Sequence, residues 1–325
     1  MKLIDRRSFL QLSAGLSLLT VQLRAAAARD YPARPVRIMV GYAAGGSADA
    51  TARLVGQWLS EKLGQQFVVE NRPGAGSNLA TEDVAHAQPD GYTLLLVTGA
   101  NAINATLYEK LSFDFVRDIA PVAGVVRVAI VMVVHPSFPA RTVAEFIAYA
   151  KAHPGTVNVA TLGNGSPQHV FSAMFEMMTG VDLVHVPYRA GPQALTALLG
   201  GQVQAFFGAT PLMIEHIKAG RVRGLAVTTA ERVEALPDIP AMAEAVPGYA
   251  ASDWLGFGAP KDTPADIVEL LNTTINAGLA DPTISERLRT QGQILVGSPG
   301  DFAKLIGVET QKWAKVVRAG DIRPE

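Results

Sequence analysis

Along this chain a short apolar run is followed, again and again, by a turn of glycine and small polar residues and then by apolar residues at helical spacing. The first such unit is Ile38 to Arg53, IMVGYAAGGSADATAR. Val36 to Val40 is the apolar run and Gly45-Gly46 the turn. Leu54, Val55, Trp58 and Leu59 fall on one face of the helix that follows, with Ser47 or Asp49 placed to cap it. The rhythm returns at Phe67 to Glu70, where Arg72-Pro73-Gly74-Ala75-Gly76-Ser77 leads into a helix over Leu79 to Ala87. It returns once more at Tyr92 to Val97, which ends in Thr98-Gly99-Ala100-Asn101. Continuous apolar strands joined through helices imply an α/β chain whose parallel sheet is covered on both faces. Ligands of such sheets sit beyond the carboxyl ends of the strands, where helix N-termini present unpaired N–H groups that suit an anion. Tyr42, Ala44, Gly45, Gly46, Ser47, Asp49, Thr98 and Asn101 gather on that rim. Taken alone, the first turn is equally well read as a plain strand-to-helix connection.

The run from Ala120 to Val134 is longer than a usual strand and reads as a passage into a second lobe. A helix over Thr142 to Ala152, a strand over Val157 to Ala160 and the turn Thr161 to Ser166 follow. Ser166 stands at a cap position with Pro167 behind it, and Val170, Phe171, Met174, Phe175 and Met178 form the expected buried stripe. Strands at Leu183 to Pro187, Val203 to Phe207 and Gly224 to Thr228 continue the pattern. Pro192 and Pro211 mark two more helix starts. Ser252 to Ala259 reads as the return to the first lobe. Helices are expected over Ala265 to Ala280, Ile284 to Gln291 and Pro299 to Val317, with a strand at Gln293 to Val296. The turns after these strands present small or polar residues at the strands' carboxyl ends, so two lobes with facing rims follow. A chain of 325 residues exceeds what one core holds, since single cores stop growing at roughly 250–300 residues.

Arg6-Arg7 ahead of Ser8-Phe9-Leu10, an apolar run to Leu23 and the small residues Ala25 to Ala28 form a targeting segment. It resembles a twin-arginine export signal, with general secretion as the alternative, and cleavage is expected after Ala28. There is no cysteine, hence no disulfide and no lipid-bearing Cys. The full chain carries a formal charge of −1 without a basic run, which argues against nucleic acid or an anionic membrane surface as partner. No G-x-S-x-G elbow, H-E-x-x-H pair, P-loop or G-x-G-x-x-G fingerprint is present. The six histidines are scattered, and His185 reads as a packing residue in its strand. No catalytic group, metal or cofactor is expected. The strongest enzymatic reading is an exported hydrolase using Ser166 and His169, which are three residues apart on one helical turn.

Taken together in this order, YAAGGSADATAR, ENRPGAGSN, PDGYTLL, TLGNGSPQHV, HVPYRAGPQALTALLGGQVQAFF, LPDIPAMAE and DWLGFGAPKDTP resemble the Bug receptors. These are the TctC-like periplasmic substrate-binding proteins of tripartite tricarboxylate transporters. The resemblance runs over essentially the whole chain after the targeting segment and implies a type II periplasmic-binding fold, a Venus flytrap of two doubly wound lobes joined by two crossover strands. It implies lobes of residues 29–127 with 254–325 and of 128–253, hinged near Val125 to Val131 and Ser252 to Gly256. It also implies a soluble periplasmic monomer that closes on a small organic carboxylate, held by backbone amides and waters, and delivers it to membrane permease subunits. The family's binding loops fall on Tyr42 to Asp49 and Thr98 to Asn101 in the first lobe, and in the second on Thr161, Asn164, Gly165, Ser166 and His169, on Tyr188, Arg189 and Ala190, and on Phe207 and Thr210. A ligand-sensing module for a membrane signalling protein would use the same chemistry. Two departures bear on the ligand. Ala44 replaces a proline common in the family's first turn, and Gln204 with Gly208-Ala209-Thr210-Pro211 replaces more polar residues. An apolar far end of the pocket would follow, suited to an aromatic acid or a longer dicarboxylate.

Overall fold

The computed structural model describes residues 31–324; the targeting segment lies outside the described residues. The chain opens with β1 (Val36–Val40), α1 (Ser47–Leu63), β2 (Phe67–Asn71), α2 (Asn78–Ala85), β3 (Thr93–Thr98) and α3 (Gly99–Leu107). β1 lies parallel between β2 and β3, with Ile38 opposite both Val69 and Leu94. Val36, Ile38, Met39 and Val40 are all buried, as expected of a central parallel strand covered on both faces. Ala52, Val55 and Leu59 bury the inner face of α1, while Leu54 and Trp58 are half-buried. Gly56 lets α1 settle on the sheet, since a Cβ there would stand 3.1 Å from Ile38 Cδ1. The helix stops at Gly64, whose φ of 73° is a left-handed cap that glycine adopts without penalty.

After α4 (Phe115–Asp118) the long apolar run divides into two strands in two different sheets: β4 (Ile119–Val128) and β5 (Ile130–Val134), broken at Ala129. The second sheet is completed by α5 (Val143–Ala152), β6 (Val157–Thr161), α6 (Pro167–Thr179), β7 (Leu183–Pro187), α7 (Gly191–Leu199), β8 (Ala205–Ala209), α8 (Thr210–Lys218) and β9 (Arg223–Val227). Its order is β7-β6-β8-β5-β9, with β5 antiparallel to both neighbours. The chain returns through β10 (Asp253–Pro260), α9 (Ala265–Ala280), α10 (Pro282–Arg289), β11 (Gly292–Ile294) and α11 (Pro299–Ala319). β10 inserts antiparallel between β3 and β4, and the first sheet reads β11-β4-β10-β3-β1-β2. This is the two-lobed type II architecture.

Two connections cross between the sheets, at Ala129 and at Ala251-Ser252, and threonines tie them together. Thr210 donates both its N–H and its hydroxyl to the Ala129 carbonyl, each at 2.9 Å. The Thr228 hydroxyl lies 3.1 Å from Ile130 O and 2.8 Å from Ala251 O, and Ala251 N–H returns a 2.7 Å bond to Thr228 O. The crossings themselves are therefore shorter than the runs Val125 to Val131 and Ser252 to Gly256. Val125 to Val128 and Asp253 to Gly256 are laddered inside the first sheet. Packing also joins the lobes: Trp313 of α11 stacks on Phe171 of α6 at 4.9 Å.

Several expected bounds shift by a turn or less. β8 begins two residues late, because Gln202 N–H closes the end of α7 on Ala197 O before the strand can start. Met178, expected in the α6 stripe, is 40% exposed. It stands in the last turn, and Ala173 takes the inner position instead.

Candidate functional site

At the end of β1 the turn needs glycine at Gly45, whose φ is +88°, and Gly46 is the N-cap of α1 with no side chain accepting from its amides. This corrects the capping expectation. Ser47 is the first helical residue, and Asp49 turns back under the loop. Its carboxylate accepts from Gly45 N–H (2.9 Å), Asn71 Nδ2 (2.9 Å) and Arg53 Nε (3.0 Å). Arg53 first, then the Gly45 and Asn71 donors, hold this buried carboxyl down to about 2, outweighing the opposing effect of burial. Its charge is thus satisfied inside the turn. Ala43 to Ser47 remain exposed above it.

At the end of β3, Thr98 and Asn101 form a reciprocal cap on α3. Thr98 N–H donates to Asn101 Oδ1 at 2.8 Å, and Asn101 Nδ2 donates to Thr81 Oγ1 at 2.8 Å. Asn101 is 1% exposed, so its side chain serves the framework of the rim. Thr98 Oγ1 lies 3.2 Å from Tyr42 Oη, which joins the two loops. Burial first, with the neighbouring Asp253 charge, raises the Tyr42 phenol well above its ordinary range. Asp253, absent from the sequence candidates, accepts from Gly99 N–H at 3.0 Å and Trp254 N–H at 2.8 Å. Burial pushes its carboxyl up to about 6 against these two donors. Nothing in its local sequence marks it, because only β10 inserting beside β3 brings residue 253 to the start of α3.

In the second lobe, Thr161 ends β6 and its carbonyl accepts from Tyr188 N–H at 2.9 Å, joining two candidate loops. Gly163 and Gly165 have φ of 99° and 75°. Ser166 caps α6 as expected, its hydroxyl 3.3 Å from both His169 N and Leu162 N. The His169 ring turns back onto its own loop: Nδ1 accepts from Gly165 N–H at 3.0 Å, so in the neutral ring the proton is on Nε2. Ser166 Oγ and His169 Nδ1 therefore act as fasteners of backbone amides. α7 starts at N-cap Ala190 with no side-chain cap, beside exposed Arg189 and half-buried Tyr188. Phe207 is fully buried, 6.1 Å from Phe175, and Thr210 is committed to Ala129, so these two side chains stand in core and hinge. Gln204 precedes β8, where its amide oxygen accepts from Asn158 N–H. That is the amino end of the strand, opposite the rim, so Gln204 cannot shape the far end of a pocket there.

The second-lobe loop reaches the first lobe at Gly165, where a Cβ would lie 2.0 Å from Leu107 Cδ2. Five buried polar side-chain atoms among the described residues have no hydrogen-bond partner, and four of them belong to these rims: Ser77 Oγ, Asn78 Nδ2, Thr161 Oγ1 and Trp254 Nε1. The fifth is His216 Nδ1, at the far end of α8. A buried polar atom without a partner carries a desolvation cost, so such atoms concentrate where a small polar ligand or water completes the bonding. Two concave pockets, of about 330 and 200 Å³, lie elsewhere, beside Arg141 and Glu244 and beside Arg127 and Leu305. Neither is lined by a candidate residue. Among the described residues no cluster of three or more His, Asp or Glu could hold a metal ion, and no helix is long and apolar enough to cross a membrane.

The family model described as "Tripartite tricarboxylate transporter family receptor", TctC, matches residues 51–322. Protein BugT of Bordetella pertussis is 36% identical over 309 residues, covering 94% of this chain and 95% of that protein. Among solved structures, Rpa4515 of R. palustris with adipate is 36% identical with a TM-score of 0.83, over 91% of this chain and all of that one. MatC of Rhodopseudomonas palustris with bound malate is 32% identical with a TM-score of 0.79, over 88% of this chain and all of that one. The periplasmic binding protein BugD is 32% identical with a TM-score of 0.80, over 91% of this chain and all of that one, and a receptor family of this kind sets aside the hydrolase reading of Ser166 and His169. With its sequence matched over nearly its whole length and its two sheets superposing on theirs, the chain belongs to the tripartite tricarboxylate transporter receptor family, TctC.

Proposed function

We propose that this protein is an exported, soluble receptor that captures a small organic carboxylate between its lobes and delivers it to the membrane permease of a tripartite tricarboxylate transporter. The observation that carries the reading is the concentration of unpartnered buried polar atoms on the two rims, beside two helix starts without side-chain caps, α1 and α7. Amides of Gly46 and Ser47 and of Ala190-Gly191, with Thr161 Oγ1, form a neutral set of donors and hydroxyls for a carboxylate, while the Gly45 amide is held by Asp49. Ala44, the Tyr42–Thr98 pair, the Asn164 to His169 loop and Tyr188 border that set. Asp49, Asn101, Phe207 and Thr210 act one step behind it, by holding the loops. The lobes close because the ligand binds the closed arrangement more tightly than the open one.

The adipate and malate of the two relatives mark the ligand class, and Gly208-Ala209-Thr210-Pro211 supports an occupant less polar than a citrate-like tricarboxylate. Thermal-shift screening followed by calorimetry tests this. Linear dicarboxylates or aromatic acids are expected to raise the melting temperature, and stabilisation only by amino acids, citrate or sugars would overturn it. A liganded structure whose anion touched neither Gly45-Gly46 nor residues 164–169 would overturn the site.

A further inference from the structure

Asp253 is a carboxylate at the rim of an anion receptor, and the fold holds it there deliberately. Leu255 pairs with Thr98 at the end of β3, so Asp253, two residues earlier in β10, projects one step past that end to the first amide of α3. Oδ1 takes both described hydrogen bonds, from Gly99 and Trp254. Oδ2 takes none of those described, and no lysine, arginine or histidine among the described residues pairs with it. The titratable groups that face it are Tyr42 from the first turn and Glu309 from α11. Glu309 is itself bound by Trp313 Nε1 and Lys312. The indole Nε1 of Trp254, one of the unpartnered atoms, lies 3.6 Å from where a Cβ of Gly99 would be. This differs from Asp49, whose charge is answered by three side-chain and backbone donors on the same rim.

We infer that Asp253 is a specificity-determining residue, one that keeps a second ligand carboxylate away from the β3 end of the cleft unless it carries a proton. With the proton on Oδ2, the acid becomes a donor to that carboxylate; without it, two like charges meet in a partly desolvated place and repel. A ligand end that is a methyl or an ammonium group meets no such barrier. The upward displacement of this carboxyl by burial puts the change between mildly acidic and neutral pH. At pH values above that change, binding a dicarboxylate then takes up one proton from solution and binding the matching monocarboxylate takes up none. This rests on the carboxylate reading and names the selectivity of the same site.

Calorimetry with matched pairs tests it: succinate against butyrate and adipate against hexanoate, at pH 5.5 and 8, in two buffers of different ionisation heat. For the unaltered protein, dicarboxylate affinity is expected to fall at least tenfold between pH 5.5 and 8, with about one proton taken up at pH 8 and much less at pH 5.5, while monocarboxylate affinity holds steady. Asp253→Asn keeps an oxygen for Gly99 and Trp254 and carries a permanent donor, so it is expected to bind dicarboxylates with no such fall. Asp253→Ser, which removes the charge with a smaller acceptor, is expected to lose the pH dependence as well. The inference is overturned if both variants keep the pH dependence and the dicarboxylate-to-monocarboxylate ratio of the unaltered protein. Should no carboxylate bind at any pH, the carboxylate reading falls and this inference with it.

Discussion

Gly165→Ala tests whether the lobes meet where the structure joins them. Two costs attach to the new methyl group. The first is local, because φ of +75° is left-handed backbone, which disfavours an L side chain by about 1–2 kcal/mol whatever the lobes do. The second depends on the opposite lobe. The Cβ would stand 2.0 Å from Leu107 Cδ2, well inside the ~3.5–4.0 Å of a carbon contact, and Leu107 is only 4% exposed, so it cannot swing into open solvent. Overpacking of this kind costs about 1–3 kcal/mol, and it applies only when the 161–169 loop lies against α3. Because the proposed capture between the lobes requires that approach, affinity for a stabilising acid is expected to fall roughly 5- to 150-fold, the second cost converted to binding. The local cost appears instead in urea unfolding of the free protein. A double-mutant cycle with Leu107→Ala separates the two. Removing the leucine makes room for the methyl group, so the affinity penalty of Gly165→Ala should shrink by about 1 kcal/mol or more in that background. An equal penalty in both backgrounds would refute the reasoning, because backbone strain alone would then account for it.

Two further outcomes follow from titrating groups. Asp49→Ala removes the acceptor for three donors under the first turn and is expected to lower unfolding stability by about 1–3 kcal/mol at neutral pH. Because the folded carboxyl is depressed to about 2, its contribution is complete above the ordinary value near 4 and lost as pH falls through 2, a segment of acid unfolding that the variant should lack. Glu176 and His185 are a second case: His185 Nε2 lies 3.3 Å from Glu176 Oε2 and 2.7 Å from Ser172 Oγ, and burial moves the acid up to about 7 and the histidine down to about 4. Folded and unfolded states both hold one proton on this pair between about 4.5 and 6.5, so its contribution to stability is flat there. His185→Gln should uncover a stability that declines from about pH 4.5 to 7, and Glu176→Gln one that rises from about pH 4 to 6.5, read by urea unfolding across pH.

How far the sequence reaches depends on whether the deciding interaction is local. The strand-turn-helix units, the Ser166 cap and the proline-marked starts of α6, α7 and α8 are written within a few residues, and each stands where periodicity and capping rules put it. What failed is what depends on distant neighbours. Asp49 sits where a cap could form, but Arg53 and Asn71 draw it under the turn, and Asn71 arrives from the next strand. Phe207 and Thr210 lie on a candidate loop, yet their partners are Phe175 and Ala129. The long run Ala120 to Val134 shows its apolar character but not its break, since Ala129 is a junction only because Thr210, 81 residues on, holds its carbonyl. Asp253 and Leu107 were invisible for the same reason: one needs β10 placed beside β3, the other the opposite lobe.

Asp49 and Asp253 show how the proposed anion receptor tolerates acids on its rim. Both lie near amides of a helix start, one at α1 and one at α3, and both accept from a glycine N–H there. Arg53 and Asn71 surround Asp49, its pKa is displaced downward, and its negative charge is cancelled locally, so it shapes the turn without opposing a ligand. Asp253 has no cation paired with it among the described residues, its pKa is displaced upward by burial, and its charge stays available to repel. Opposite displacements on one rim therefore separate two roles. A carboxylate that is always ionised and always paired serves as framework and leaves the amides of Gly46 and Ser47 open. A carboxylate that is unpaired and poised to take a proton responds to what the ligand brings, and its charge matters most where the closing lobes exclude water.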